Sequence, residues 1–581
     1  MYALYRSFLS MSNPTSSTQQ FVDDSTMLRV GHIPAIARMC HRLGLIDLIN
    51  RSIPCNTDLD LGTLVTGMVC DTLSGRSPLY KVEEFIAEQD TELLFGIPVD
   101  PHNFNDDALG NALDRIHNKG TLKLFTEVAL RAANVFDLDT TQCSFDTTSV
   151  NVWGDYEISQ PNKKAPHITY GYSKDKRSDL KQFMVSMLCV EGNIPISGKM
   201  QNGNSSDETL NNEELQRIAK LLKPLGKNIA ELTYIADCKL VTASNLRQLG
   251  DLQFISRFPA NFKEHDKIIG QAIDAGKWEQ LGVLAETPSP SINRQRASYK
   301  AQESQVTIEG KNYRAIVIQT DQLDKRRTKA IERKRLKEKA LTEKAIKAAA
   351  KTTYHCLGDA SKALEALTRK NKNSHWHITG SVEQTSVYAP GRAPANGQRK
   401  IVVTKYHHRL QPEENTFLYE QKLKKSGCFV MITNTAKDKM PAREVLRTYK
   451  QQYGVEKNFS FLKEPLIAND TFLKKPSRID ALTFILLVSL MIWNLMKREL
   501  RNSEQLRTGQ LNDLNKKPTK RPTSYLLMCQ LSGVIILRHG NVRHLPRNGI
   551  KPQGLKYLKA LGFDETIYTI PPKPSRTQRH P

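Results

Sequence analysis

The sequence lacks the features that mark secreted and membrane proteins. Its nine cysteines are scattered singly from Cys40 to Cys529 without a CxxC pair, which argues against a disulfide framework and against a structural zinc site. The opening residues, MYALYRSFLSMSNPTSS, have too short an apolar run for a signal peptide. The apolar run ALTFILLVSLMIW, from Ala481 to Trp493, is shorter than the ~18 to 20 residues that a membrane span needs. We therefore expect a cytoplasmic protein in which this run forms a buried core helix.

The sequence is also short of acidic residues. It has 60 Asp and Glu against 84 Lys and Arg, which gives a formal net charge of +24. Such an excess favours a polyanionic partner, nucleic acid first and an anionic membrane surface second, although a merely basic soluble protein is the alternative. The 581 residues are enough for roughly three or four domains.

The N-terminal part of the chain has a helical pattern. Residues 1–25 are rich in Ser, Thr and Gln and are expected to form a flexible arm. Residues 26–135 then repeat apolar positions at helical spacing, with Gly, Pro and Asn between the repeats. This pattern predicts a helical N-terminal domain that binds DNA. A helix-turn-helix is compatible with it, but no helix is marked out as the one that reads DNA.

The periodicity then changes and divides the rest of the chain. Residues 136–259 read as three strands followed by helix, strand, helix and strand, which predicts the first part of an α/β core with a mixed sheet. Residues 260–430 hold further strand-like pieces around a long basic helix, which is either a solvated face or a contact to a phosphate backbone. The core would resume over 431–500. Residues 501–581 form a basic C-terminal region with a tail, PPKPSRTQRHP, predicted to be disordered.

Two aspartates lie in local settings that indicate a site. Asp146 falls inside the predicted strand SFDTTSV, where a charge is costly unless it faces a cation or a cleft. Asp237 closes the predicted strand ELTYIAD, and ligand sites of open α/β sheets form at the carboxyl ends of strands. Taken alone, Asp237 is more readily explained as a helix cap.

A third acidic residue lies in the segment YKQQYGVEKNFSFLK. On a single helix running from Pro441 to a point before Pro465, Glu456 would share one face with Tyr449, Gln452 and Lys463, because their spacing follows whole helical turns. A solvated helix face is the alternative. Together with the two aspartates, however, Glu456 would complete an oxygen-rich pocket for hard divalent cations. Two Mg²⁺ ions suit such a pocket and would serve phosphoryl transfer, and Mn²⁺ could substitute.

At these positions the sequence resembles the DDE transposases of bacterial insertion sequences. One large group has a signature of Tyr, two residues, Arg, three residues, Glu, six residues and Lys. Tyr449, Glu456 and Lys463 fall at those intervals, whereas Gln452 replaces the arginine. The stretches SFDTTSVNVWGDY and YIADCKLVTASNL resemble the regions of the family's first and second aspartates.

The resemblance implies a fold and a set of site residues. The fold is an α/β, ribonuclease H-like mixed-sheet core, interrupted by a large β-rich insertion with a basic helix and preceded by an all-α N-terminal domain. The implied catalytic and metal-binding residues are Asp146, Asp237 and Glu456. The implied DNA-binding residues are Tyr449, Gln452 and Lys463, although Gln452 has neither the charge nor the fork of an arginine.

The resemblance also implies an activity and partners. The activity is metal-dependent cleavage of DNA at the ends of an insertion sequence, followed by strand transfer into target DNA. The partners are double-stranded terminal inverted repeats, target DNA and a second copy of the chain when DNA is bound, with no membrane, and the bound protein would be nucleoid-associated. Two alternatives stay open: a non-catalytic DNA-binding protein derived from a transposase, and a metal-dependent nuclease without strand joining.

Overall fold

The protein folds into two compact units. The computed structural model describes residues 25–75, 77–154, 156, 165–226, 228–285, 296–322, 325–370, 374–392, 397, 399–463 and 473–578. Unit 1 comprises Met1–Ser256 and Thr448–Pro581, and unit 2 comprises Arg257–Arg447. The predicted flexible arm lies outside the described residues except for Ser25.

The N-terminal part of unit 1 is helical, as the sequence predicts. Its helices are α1 (Ile33–Leu43), α2 (Leu45–Ser52), α3 (Leu61–Thr72), α4 (Val82–Ala87), α5 (Thr91–Phe95), α6 (Asp106–Lys119) and α7 (Thr121–Val135). Gly44, at φ 73°, lets the chain turn directly from α1 into α2. Asp60 and Asn105 cap α3 and α6 by accepting hydrogen bonds from backbone N–H groups of the first turn. A short strand, β1 (Thr26–Leu28), precedes these helices.

The sheet of unit 1 is mixed, which confirms the prediction. Its strands are β2 (Gln142–Val152), β3 (Lys181–Val190), β4 (Ile194–Gln201), β5 (Thr233–Ile235) and β6 (Gln253–Arg257). They lie in the order β4-β3-β2-β5-β6. The pairs β2–β3 and β3–β4 are antiparallel, whereas β2–β5 and β5–β6 are parallel. Helix α8 (Asp207–Leu222) connects β4 to β5, and α9 (Ala243–Gln248) connects β5 to β6.

Three further helices of unit 1 follow the insertion. They are α14 (Ala442–Gln451), in which the chain returns to unit 1, α15 (Tyr453–Leu462) and α16 (Pro476–Asn502). Helix α16 contains the apolar run and contacts β4, α3, α6 and α7. Among the described residues it is the one helix long and apolar enough to cross a membrane, yet 83% of its most apolar stretch is buried inside the protein. The prediction of a buried core helix over Ala481–Trp493 is therefore confirmed.

The C-terminal region packs on the N-terminal helices. Its elements are α17 (Glu504–Arg507), α18 (Ser524–Leu531), β13 (Ile536–His539), β14 (Val542–His544) and α19 (Pro552–Ala560). Strand β13 pairs with β1 on one side and β14 on the other. On β14, Arg543 is fully buried and its guanidinium donates to both carboxylate oxygens of Asp90, at 2.6 and 2.8 Å, and to Glu92 at 2.7 Å.

The prediction of a disordered C-terminal tail is wrong as far as Gln578. Thr577 Oγ1 donates to Asp47 of α2 at 2.8 Å, and the side chain of Gln578 donates to the carbonyl of Phe95 at 2.9 Å. The tail is ordered because its polar side chains bind groups at the ends of N-terminal helices, a partnership that its composition does not reveal. Residues 579–581 lie outside the described part.

Unit 2 is β-rich and carries the basic helix, as predicted for the insertion. Four strands lie in the order β12-β9-β8-β7: β7 (Glu279–Val283), β8 (Ser298–Ile308), β9 (Lys311–Thr320) and β12 (Cys428–Thr433). A separate antiparallel hairpin is formed by β10 (Trp376–Tyr388) and β11 (Ile401–Glu414). The helices are α10 (Lys263–Ala275), the basic α11 (Lys325–Ala349), α12 (Leu357–Lys370) and α13 (Thr416–Ser426).

Candidate active site

Register within unit 1 places Asp146 and Asp237 at the same level of the sheet. Ser144 of β2 pairs with Ile235 of the parallel strand β5, and each aspartate follows two residues later in its own chain. Along β2 the side chains alternate, so Phe145 is buried against Tyr234, with ring centroids 6.0 Å apart, while Asp146 is half-buried on the other face. The two carboxylates therefore lie at the same level of the sheet, on or directly after adjacent strands.

Hydrogen bonds fix the orientation of both carboxylates. The backbone N–H of Thr147 donates to Asp146 Oδ1 at 2.7 Å. Asp237 caps the short 3-10 turn after β5, where its Oδ1 accepts from the backbone N–H of Lys239 at 3.0 Å. The Ser256 hydroxyl donates to the backbone carbonyl of Asp237 at 2.7 Å. Asp237 is thus a helix cap, which was the alternative explanation of this residue from the sequence, and it is also a member of the carboxylate pair.

A third carboxylate and a lysine lie in the same cluster. Asp207, the first residue of α8, accepts a short hydrogen bond from the Thr147 hydroxyl. The Lys174 ammonium lies 3.3 Å from Asp207 Oδ1 and 3.9 Å from Asp146 Oδ1. Sequence reasoning missed both residues. An acidic residue at the start of a helix is common, and Lys174 lies in irregular chain between β2 and β3, so neither carries a local signal of a site.

Burial and crowding disfavour the charged forms of these aspartates. Burial raises the pKa of Asp146 to about 6, against the lowering effects of Lys174 and the Thr147 N–H, while Asp237 and Asp207 raise it further. Burial likewise raises the pKa of Asp237, and Asp207 adds to this shift. Asp237 and Asp207 thus lie close enough to Asp146, and Asp207 close enough to Asp237, to disfavour its charged form.

Helix α15 carries Glu456 alongside β2. At its start, the buried Gln452 amide donates to the carbonyl of Phe145 at 3.1 Å, next to Asp146. At its end, Lys463 Nζ lies 2.6 Å from Asp175 Oδ2, a residue that also accepts from Asn151 on β2. Glu456 lies one turn after Gln452 and is exposed. Among the described residues, no three His, Cys, Asp or Glu side chains are close enough to hold a metal ion together.

The helix prediction for this segment needs a correction. The chain forms two helices, α14 and α15, because the hydrogen bonds around Gln452 shorten to three-residue spacing: Gln452 N–H donates to Tyr449 O and Val455 N–H to Gln452 O. Tyr449 therefore lies on α14, half-exposed, and not on the helix that carries Glu456. Contacts of Tyr449, Gln452 and Lys463 with DNA stay predictions.

A network of asparagines anchors α15. The buried Asn458 donates to the carbonyl of Asn193 at 2.8 Å, in the turn between β3 and β4. Asn494 of α16 donates to the same carbonyl at 3.0 Å and to Asn458 Oδ1 at 3.1 Å. Gly454 leaves room for the Asn193 side chain, because a Cβ there would lie 2.1 Å from its amide nitrogen, Nδ2.

We expect Asn458→Leu to destabilise unit 1 by about 2 to 3 kcal/mol, because it leaves buried polar groups without partners. The measurement is urea unfolding of the full chain, with Asn118→Leu on α6 as the control at an exposed asparagine. An unchanged midpoint for Asn458→Leu would contradict the anchoring role.

A half-buried lysine near this network makes stability depend on pH. Burial lowers the pKa of Lys497 to about 8, and the nearby Arg501 lowers it further. The folded state therefore releases this proton before the unfolded state does, so stability is reduced at pH 7 and recovers as the pH rises from about 8 to the ordinary value of 10.5.

We expect Lys497→Met to stabilise the protein at pH 7 by up to about 3 kcal/mol. Loss of the hydrogen bond that Lys497 donates to Asn494 reduces this gain. The difference from the wild type should shrink toward pH 10. Denaturant unfolding of both proteins at pH 7 and pH 10 measures it, and a pH-independent difference would contradict the assignment.

The donor set fits a divalent metal. The clustered groups are carboxylate oxygens with a hydroxyl and a backbone carbonyl of Thr147, which are the donors that Mg²⁺ and Mn²⁺ prefer. Burial, with smaller contributions from Asp237 and Asp207, raises the pKa of Asp146, and an ammonium group already lies among these oxygens. That Asp146 and Asp237 hold such an ion stays a prediction.

The helical N-terminal region and the mixed sheet are consistent with a transposase of ribonuclease H-like architecture. The family model of the transposase DDE domain matches residues 134–495, more than half of the 581 residues, and the chain belongs to this family. Residues 25–130 match the model of a domain of unknown function. No curated protein matches the chain. The predicted family and fold class are thereby confirmed.

Proposed function

We propose that this transposase cuts DNA at the ends of an insertion sequence and joins the freed 3′-hydroxyls to target DNA. The observation that supports this best is the carboxylate pair, Asp146 and Asp237, at one level of adjacent parallel strands. Glu456 would join the pair from α15, which runs beside β2. The net charge of +24 suits the polyanionic substrate.

Asp146, Asp237 and Glu456 would hold two divalent ions, Mg²⁺ or in its place Mn²⁺. When bound, these ions neutralise charge at the scissile phosphate and activate the attacking oxygen. The chain's own part is positioning. The N–H groups of Thr147 and Lys239 orient the two aspartates.

DNA beside this site would contact the signature residues. Lys463, held next to the site by Asp175, is a point charge suited to a phosphate. Tyr449 offers a hydroxyl and a ring edge. Gln452 is buried and its amide donates to the Phe145 carbonyl, so we expect its main contribution to be the placement of β2 against α15.

The partners proposed are the element's terminal inverted repeats, target DNA and a second copy of the chain on DNA, in the cytoplasm and on the nucleoid. The test uses the full chain, Mg²⁺ and a duplex that carries the DNA ends flanking this gene. Nicked and joined products are expected. End binding without nicking would favour the non-catalytic DNA-binding protein, an alternative that the replacement of the signature arginine by Gln452 supports. Nicking without joining would favour the nuclease.

A further inference from the structure

We propose that Lys174 is a built-in counter-ion of the acidic cluster, which holds the cluster together in the metal-free protein and is displaced when a divalent ion binds. This inference rests on the proposed metal site. It adds a residue that sets how readily that site takes up metal.

The contacts of the Lys174 ammonium are those of a cation bound by hard oxygen donors. Its Nζ donates to the backbone carbonyl of Thr147 at 2.6 Å and lies 2.9 Å from the Thr147 hydroxyl. Carboxylate oxygens of Asp207 and Asp146 lie 3.3 and 3.9 Å away. A metal ion at Asp146 needs the same kind of donors, so the ammonium and the metal compete for one group of oxygens.

The chain around Lys174 is fixed in a way that aims this side chain at the cluster. Its backbone N–H donates to the Ser149 hydroxyl of β2 at 2.9 Å. The Ser173 hydroxyl donates to Asn151 at 3.1 Å, also on β2. Just upstream, Gly171 approaches the backbone of Gly203 so closely that a Cβ would lie 2.2 Å from the Gly203 carbonyl oxygen. The segment is therefore attached along β2 by its backbone and small side chains.

Those attachments do not involve the Lys174 side chain. It keeps 30% of its side-chain surface exposed, so the ammonium can swing into solvent while the bonds to Ser149 and Asn151 stay in place. A divalent ion has twice the charge of the ammonium and repels it at this range. Three carboxylates against one ammonium leave the cluster with an excess of negative charge that favours this exchange.

The exchange predicts that loss of the lysine tightens metal binding. In the DNA-free, full-length protein, Lys174→Met should lower the dissociation constant for Mn²⁺ by about tenfold or more, because one competing positive charge is removed. Lys174→Gln should act in the same direction, which keeps the test valid if the methionine variant folds poorly. The measurement is the free Mn²⁺ signal in electron paramagnetic resonance. Lys176→Met, which removes the same charge from an exposed side chain nearby, should leave the constant within about twofold.

A second readout uses no metal. With a chelator present, Lys174→Met should lower the melting temperature by several degrees, because like-charged carboxylates lose their counter-ion, and Lys176→Met should not. Unchanged or weaker Mn²⁺ binding by both Lys174 variants would overturn the inference. If the wild type binds no Mn²⁺ without DNA, the inference requires that Lys174→Met and Lys174→Gln bind it, and a lack of binding by both would contradict the inference. The cleavage assay with Asp146→Asn judges the proposed function separately.

Discussion

Strand cleavage should fall by about a thousandfold or more when Asp146, Asp237 or Glu456 is replaced by its neutral amide. Asparagine and glutamine keep the size of the side chain but lose the negative charge that holds a divalent ion next to a phosphate. Binding of DNA ends should change little, because it depends on the basic surface and not on these carboxylates. A nicking assay in Mg²⁺ and a gel-shift assay at matched salt concentration measure the two properties.

Two exposed acidic residues of unit 1 serve as matched controls. Asp251→Asn and Glu213→Gln change the charge equally and are expected to retain near-normal cleavage. The Glu456 variant is the most informative of the three, since Glu456 is exposed and shares no metal-binding group with the aspartates in the DNA-free chain. Near-normal cutting by Glu456→Gln in Mg²⁺ would remove this residue from the proposed site.

Arg543→Met should destabilise the protein by about 3 to 5 kcal/mol, the cost of leaving a buried charge without its partner. Both Arg543 and Asp90 have fully buried side chains and form a two-pronged hydrogen-bonded pair. Methionine fills part of the space but leaves the Asp90 carboxylate with only the longer contact to the Arg538 guanidinium, at 3.5 Å. The damage should extend over the N-terminal helices, because Asp90 also caps α5.

Hydrogen exchange measured by mass spectrometry locates this effect. Exchange should speed up in α5 and in the β13–β14 hairpin, with unit 2 unaffected, and the urea midpoint should fall. Arg547→Met, at an exposed arginine of the same region, is the control and should match the wild type. Equal protection of α5 in both variants would show that the pair contributes little to stability.

Periodicity predicted the sheet of unit 1 well because its strands are buried or alternate cleanly. The patterns SFDTTSV and ELTYIAD became β2 and β5, and their parallel register explains why Asp146 and Asp237 come together. Strand β10 was harder to foresee, since most of its residues are exposed and no buried face sets a pattern. The ordered tail and β1 were missed because both depend on partners far away in the sequence.

The candidate site was only partly predictable for a similar reason. Asp146 lies inside a recognisable strand, Asp237 at a strand end and Glu456 in a spaced signature. Lys174 and Asp207, in contrast, reach the cluster through tertiary packing. The break at Gln452 was hidden as well. Its backbone remains helical, at φ −55° and ψ −25°, and its buried amide bond to Phe145 couples it to a strand more than 300 positions away.

The pairing of β1 with β13 and of Asp90 with Arg543 has a consequence for synthesis of the chain. Asp90 leaves the ribosome 453 positions before its partner, so the N-terminal helices emerge without the strands and the guanidinium that complete them. A prematurely terminated product would lack a finished N-terminal domain. We expect such fragments to be poor competitors for DNA, and only chains translated through this region to take part in transposition.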